Sequence, residues 1–212
     1  MIISIDGNVY TGKTSTILYA KKKLNVDIIS EYNPIEDLGE SSLFDEDIQC
    51  RYIDQEKERL KYINSLSQKN IFMDRSILSI VANSYAQFHL HGKDLRLYVI
   101  SILKQRISQN KILIPDFFIH LKSSHSDLLN RYIIGEKGAN AKGTCKSLVD
   151  KDYCKLIDEF HFRFQQNFTA GNFNSIEFTN PEKVLNEIKS SLPHASKVDG
   201  KQLLDIIQMA VY

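Results

Sequence analysis

The 212-residue chain is 42% hydrophobic and 25% charged, which suits one globular α/β domain with a proper core and excludes a disordered chain. A net charge of +1 gives no global field to draw nucleic acid or an anionic membrane, so any anion must be held by a local site. Cys50, Cys145 and Cys154 are odd in number and lack C-x-x-C spacing, the mark of reduced thiols rather than of a disulfide or zinc framework. The opening MIISIDG is too short and too soon polar for a signal peptide, and no apolar run reaches membrane-spanning length, so a cytoplasmic protein is expected.

Residues 1–5 are apolar and β-branched and run into Asp6-Gly7, as a buried parallel strand does where it stops at a turn. Residues 13–24 take helical spacing, with Ile17, Leu18, Ala20 and Leu24 on one side and Lys21 to Lys23 in the last turn, where cations suit the helix dipole. A second strand follows at 26–29, a charge-rich helix at 48–66, and a third strand at 71–74 that ends in an acid. Helices are expected at 76–88 and 95–107, then a fourth strand at 117–121 and a helix at 126–132. A further helix at 151–168, a fifth strand at 175–178 and a helix at 181–192 complete the alternation. Strands alternating with helices predict an α/β fold with a parallel five-stranded sheet covered on both faces. Residues 1–192 read as one domain with a short lid at about 131–152, residues 193–200 as a connector, and 201–212 as an extra C-terminal helix. The stripe Leu203, Leu204, Ile207, Ala210 and Val211 favours packing of that helix on the domain over a partner-binding role.

The central motif is Gly7-Asn8-Val9-Tyr10-Thr11-Gly12-Lys13-Thr14, a complete G-x-x-x-x-G-K-T, with Ser15 behind it. Average residue frequencies produce such a string by chance in roughly 1% of chains this long. Here a strand also runs into it and a helix runs out, as a phosphate-binding P-loop requires. The glycines permit a tight turn that aims successive N–H groups inward, and the helix start adds unpaired donors and a positive dipole end. Residues 7–15 are therefore the expected ATP-binding segment, with Lys13 bridging the β- and γ-phosphates and Thr14 offering its hydroxyl to Mg²⁺.

Three further stretches bear on the reaction. Asp74-Arg75-Ser76 ends the third strand, at the sheet edge where ligands of open α/β sheets bind. Asp74 can hold Mg²⁺ and Arg75 can neutralise charge on a transferring phosphoryl group. Glu31 ends the second strand at the same edge and can accept or orient the proton of a substrate hydroxyl; a turn-forming acid before Asn33-Pro34 is the competing reading. Residues 128–151 read as a mobile lid carrying Arg131 and some of Lys137, Lys142 and Lys146, or as a solvated basic loop.

On these residues the chain resembles the deoxynucleoside kinase and thymidylate kinase group of P-loop kinases, over about residues 1–190. The opening ISIDGNVYTGKTS, with Gly-Asn-Val inside the loop, is similar to the deoxynucleoside kinase start, and MDRSILSIVANSYA to both groups. Asp74-Arg75-Ser76 is similar to the acid-Arg-Ser motif of the first; Arg75 followed by Ser79 and Ala82 is similar to the second. The resemblance implies a base at Glu31, although this chain has Glu-Tyr-Asn-Pro where the family has Glu-Pro. It also implies base- and phosphate-contacting roles for Gln55 and Arg59, a lid beginning at Leu128-Leu129-Asn130-Arg131, and adenine near Thr179-Asn180-Pro181. Where these families carry several lid arginines, Arg131 stands among lysines, and lysine lacks the bidentate fork.

The rival P-loop functions lack their own marks. Asn110-Lys111-Ile112-Leu113 is missing the acid of a guanine-reading Asn-Lys-x-Asp, and Arg75 follows Asp74 where a hydrolase would place a water-polarising acid. Transfer of the ATP γ-phosphoryl group to a nucleoside or nucleoside monophosphate is the expectation, with Lys13, Glu31, Asp74, Arg75 and Arg131 catalytic. Glu31, Gln55, Arg59 and Arg75 are expected on the acceptor, with Thr14 and Asp74 on the metal. Gly-Asn-Val and Glu31 lean to a nucleoside, while the Ser79/Ala82 spacing and the charged helix through Arg59 tip the balance slightly to a monophosphate. A kinase of another small metabolite, a non-catalytic nucleotide sensor and a homodimer stay open.

Overall fold

Short runs of aliphatic and aromatic residues build five strands: β1 (Ile2–Asp6), β2 (Asp27–Ile29), β3 (Ile71–Asp74), β4 (Phe117–Lys122) and β5 (Phe173–Glu177). The structure is a computed structural model and describes residues 1–35, 45–66, 70–136, 146–168, 171–192 and 198–212. All strand pairs are parallel, in the order β2-β3-β1-β4-β5. Ile5 lies beside Asp74 on β3, and Asp6 beside His120 on β4, so the central strands finish at one edge. Eight helices in the described residues connect and cover them: α1 (Lys13–Lys23), α2 (Glu46–Ile63), α3 (Ile77–His91), α4 (Arg96–Ser108), α5 (His125–Glu136), α6 (Lys151–Gln166), α7 (Pro181–Ser191) and α8 (Gly200–Val211).

One face of the sheet is closed by α1 and α7, whose Ile17, Ala20, Val184, Leu185 and Ile188 pack on Ile3, Ile5, Phe117, Ile119 and Ile176. The other face carries α3 and α6 against Phe118 and Phe173, with α4 and α8 stacked outside them. β1 and β3 are neighbours, yet α1 leaves for one face and α3 for the other, so their C-terminal ends part around a crevice. Leu203, Leu204, Ile207, Ala210 and Val211 of α8 are all buried in this second layer. A fully buried Leu or Ile contributes about 1.5–3 kcal/mol, ample reason for the stripe to face inward.

The ends of several elements differ from the sequence reading. β1 continues through Asp6 because that carboxylate is buried and fully used by α3, and β5 begins at Phe173, whose ring joins the second core. α5 runs four residues further than expected, to Glu136. Residues 137–145, with Lys137, Lys142 and Cys145, lie outside the described residues, as does most of the connector at 193–197. Cys50 and Cys154 are free thiols, and no helix of the described residues is long and apolar enough to cross a membrane.

Candidate active site

At the end of β1, Asp6 accepts from the Ser76 amide, the Ser76 hydroxyl and the Ser79 hydroxyl, each at 2.8 Å. That one buried side chain ties the root of the P-loop to the start of α3. The loop then turns where only glycine fits. Gly7 has φ +132 and a Cβ there would stand 2.3 Å from the Leu121 carbonyl oxygen; Gly12 has φ +92 and its Cβ would enter the Phe178 ring. Gly12 occupies the N-cap position of α1 and no side chain caps the helix, so its first amides are left for an anion. Lys13 Nζ donates to the Asn8 carbonyl at 2.6 Å, and burial, followed by the Arg75 charge, lowers its amine to about 8.

Across the crevice the Thr14 hydroxyl donates to Asp74 Oδ2 at 2.6 Å. Burial raises the Asp74 carboxyl, and its Oδ1 is buried without a hydrogen-bond partner among the described residues. A hydroxyl and a desolvated carboxylate with a spare oxygen fit Mg²⁺, a hard cation bound by one or two carboxylates plus phosphate oxygens. No group of three or more His, Cys, Asp or Glu side chains suited to a metal forms among the described residues.

Arg75 follows β3 with φ 61, a left-handed conformation that a non-glycine residue holds only when its surroundings enforce it. They do so here. Its amide donates to the Ile5 carbonyl at 3.0 Å, and Arg59 Nη2 donates to the carbonyls of Asp74 and Arg75 at 2.9 and 2.8 Å. So displayed, Arg75 pairs through Nε with Glu31, and through Nη1 with the Gly7 carbonyl at 2.9 Å. Glu31 is 48% exposed; burial works to raise its carboxyl, but the Arg75 and Lys13 charges outweigh it and hold the group below its ordinary value.

These groups share one cleft of about 910 Å³, lined on one side by the P-loop and on the other by Glu31, Tyr32, Arg75, Ser79, Ala82 and Asn83. Gly7, Asn8, Val9, Tyr10, Gly12, Lys13, Thr14, Ser15, Glu31, Arg75 and Arg131 are all in its lining. Thr11 is buried behind it with its hydroxyl on the Asn8 carbonyl, and Asp74 lies at its margin through Thr14. Arg131 on α5 reaches the Tyr10 carbonyl at 2.9 Å with its guanidinium over the Phe178 ring, while Lys146 is exposed.

Two expected acceptor contacts are placed elsewhere. Arg59 is 8% exposed and bonds to Glu56, to the two strand-end carbonyls above and to the Ser30 carbonyl at 3.0 Å, with its guanidinium on the Tyr32 ring. Glu56 in turn accepts from the Tyr32 hydroxyl and the Leu113 amide, completing a buried brace. Gln55 bonds to both backbone groups of Asn33 in a separate side groove. The cleft wall contains residues the sequence reading passed over: Gln49 and Tyr52 of α2, and Tyr153, Ile157 and His161 of α6. Buried Gln49 on the apolar side of α2 and buried His161 on that of α6 were the available signals.

No protein-family model and no curated protein matches this chain in sequence. Solved structures match it in shape. Deoxyadenosine kinase from M. mycoides with bound dATP has a TM-score of 0.65 at 20% identity, over 91% of this chain and 100% of that one. The same kinase with bound dCTP gives 0.63 at 20% identity, over 90% and 100%. Thymidylate kinase from Candida albicans gives 0.62 at 14% identity, over 93% and 94%. The fold is that of the P-loop nucleoside and nucleotide kinases. The likeness first read from Gly-Asn-Val and Asp-Arg-Ser therefore extends to the backbone of most of this P-loop kinase fold.

Proposed function

We propose that the protein is an ATP-dependent kinase that transfers the γ-phosphoryl group to the 5′-hydroxyl of a deoxynucleoside. The observation that carries the reading is the Glu31 carboxylate, held by Arg75 and facing the P-loop within one cleft. An ionised carboxylate at the acceptor position suits a hydroxyl, whose proton it can take, and repels a phosphate monoester. Arg59, whose charge favoured a monophosphate in the sequence, is turned into the protein, and Arg75 is already balanced by Glu31. The neighbouring fold includes a deoxyadenosine kinase that binds dATP and dCTP, which supports the same class of ligand here.

In this reading the P-loop amides and the α1 N-terminus hold the triphosphate, and Lys13 leaves the Asn8 carbonyl for the β- and γ-phosphate oxygens. Thr14 and Asp74 would hold Mg²⁺, which would neutralise charge on the triphosphate. The acceptor oxygen forms its bond to the γ-phosphorus as the bond to the β–γ bridging oxygen breaks; ADP leaves and the hydroxyl proton goes to Glu31. Arg75 and Arg131 place guanidinium charge beside the transferring group. Tyr52 and Tyr153 supply aromatic side chains to the cleft wall and Ile80 an aliphatic one, the apolar lining that suits a base.

The test is ADP release at saturating Mg·ATP with a panel of deoxynucleosides and their 5′-monophosphates. Release with deoxynucleosides is the expected result. Turnover with monophosphates alone would overturn the hydroxyl acceptor, and none above the water background with any acceptor would overturn the kinase.

A further inference from the structure

A polar cluster that this chemistry does not use lies under the P-loop, with Asn8, His120 and His161 buried and Asp158 about one-third exposed. The Asn8 side-chain amide donates to the Cys154 carbonyl at 3.1 Å and to Asp158 Oδ1 at 3.0 Å, both on α6. The same Asp158 oxygen is 2.9 Å from His120 Nε2 on β4. His120 stacks on His161 with ring centroids 4.2 Å apart, and His161 Nδ1 is 2.8 Å from the Ile157 carbonyl. Donor and acceptor roles follow from the partners. Two acceptors face Asn8 Nδ2, so its NH₂ must point there, and His120 must present its proton to the carboxylate.

Asn8 is therefore gripped from both sides. Its side chain is held by α6, while its backbone carbonyl receives Lys13 Nζ at 2.6 Å and the Thr11 hydroxyl at 3.0 Å. The same helix turns Tyr153, Ile157 and His161 into the cleft. We infer that Asp158 is a positioning residue: through Asn8 it fixes the P-loop against α6, so the helix that walls the acceptor half also sets the shape of the triphosphate site. The inference rests on the proposed binding of ATP at the loop. A carboxylate accepting two buried N–H groups supplies charge-assisted bonds, stronger than neutral ones and strict in geometry.

Titration makes this arrangement sensitive to pH. Burial, opposed by His161 and Lys122, raises the Asp158 carboxyl to about 6. The groups acting on it are His120 and Lys122 from β4 and Cys154 and His161 from α6 itself, while Asp6 and Lys13 act on the neighbouring His120 ring. Burial keeps both imidazoles far below their ordinary value and pushes the Cys154 thiol up to about 12, so these three stay neutral near pH 6. Protonation of Asp158 below about pH 6 removes the charge that holds Asn8, and ATP affinity falls with it.

Mg·ATP affinity by calorimetry, with melting temperature alongside, tests this on wild type, Asp158→Ala and Asp158→Asn from pH 5 to 8. Asp158→Ala is expected to bind ATP about tenfold more weakly at pH 7.5, the loss of a partly buried charge-assisted bond. Asp158→Asn, whose carbonyl can still accept from Asn8 and His120 but carries no charge, is expected to recover part of that loss, to lack the extra fall below pH 6, and to be met there by the wild type as its carboxyl protonates. Comparing the two profiles cancels titration of the triphosphate. Asp158→Ala binding as tightly as wild type, with or without a lower melting temperature, would overturn the inference. If Asp158→Ala does not fold, parallel pH profiles of wild type and Asp158→Asn would do so. A wild-type protein that binds no ATP overturns the proposed function as well, whereas tight wild-type binding with indifferent variants overturns this inference alone.

Discussion

The P-loop and the acceptor half of the cleft face each other but are built by different means. The loop is a single contiguous segment whose shape comes from glycine conformations, main-chain amides and one strand-to-helix turn. The acceptor half is assembled from the ends of β2 and β3 and from α2, α3 and α6, and side chains hold it in register: Asp6 to Ser76 and Ser79, Arg59 to Glu56 and three carbonyls, Arg75 to Glu31. A backbone site keeps its turn so long as its glycines remain, and a neighbour such as Asp158 adjusts that turn without creating it. A site braced by buried charges is exposed to any substitution that leaves one charge alone.

The sharpest way to test the loop half is Lys13→Ala. Turnover should fall about a thousandfold, because one preorganised charge on the transferring group is lost. The melting temperature should hold, since a desolvated amine bonded to a single carbonyl is a poor source of stability. Retained turnover would remove Lys13 from the chemistry. The acceptor half should break in the opposite manner. Arg59→Met leaves the Glu56 carboxylate buried and uncompensated and should lower unfolding free energy by about 3 kcal/mol in denaturant melts. An unchanged melt with selective loss of acceptor affinity would make Arg59 a substrate contact after all.

The same contrast explains what could be read without coordinates. The P-loop was legible because all its determinants are adjacent in the chain, and Asp74-Arg75 because a strand end fixes its position at the edge. The strand-helix alternation likewise carried the sheet. The direction of Arg59 was not legible. The family resemblance put it near the site, but whether a guanidinium meets a ligand or the carbonyls of Ser30, Asp74 and Arg75 depends on strand ends far away in sequence. Gln55 and Gln49 lie on one helix; the first meets Asn33 and the second lines the cleft, a difference that composition cannot express. Nor could spacing reveal the left-handed turn at Arg75, which exists because Arg59 and Ile5 hold both of its sides.

Glu31→Gln separates the two acceptor chemistries and should have the next largest effect. With a hydroxyl acceptor kcat should drop about a hundredfold, the lower end for loss of a general base, while the KM for ATP stays close to wild type. An unchanged kcat with a confirmed hydroxyl acceptor would leave Glu31 as a tether for Arg75 only. Because the Arg75 and Lys13 charges hold the carboxyl below its ordinary value, the acid limb of wild-type kcat/KM, which reports the free enzyme, should fall below the usual glutamate range.

The smallest effect is also the most local to the loop. Burial and Arg75 hold Lys13 at about 8 against 10.5 for the free side chain, so between those values the unfolded chain binds more protons than the folded one. From this group alone, stability of the nucleotide-free protein rises with pH across that window, and the penalty is fully present below it. A triphosphate reverses the balance by restoring full charge to the amine. ATP binding should then take up about a tenth of a proton at pH 7, about half at pH 8 and about nine-tenths at pH 9 from Lys13. Calorimetry in two buffers of different ionisation enthalpy reads that uptake directly. In the acceptor half, Glu31 is shifted toward acid and does not titrate with this sign near pH 8. Uptake that rises with pH therefore reports the P-loop lysine exchanging the Asn8 carbonyl for phosphate, and uptake that stays flat from pH 7 to 9 means that Lys13 keeps its backbone partner with nucleotide bound.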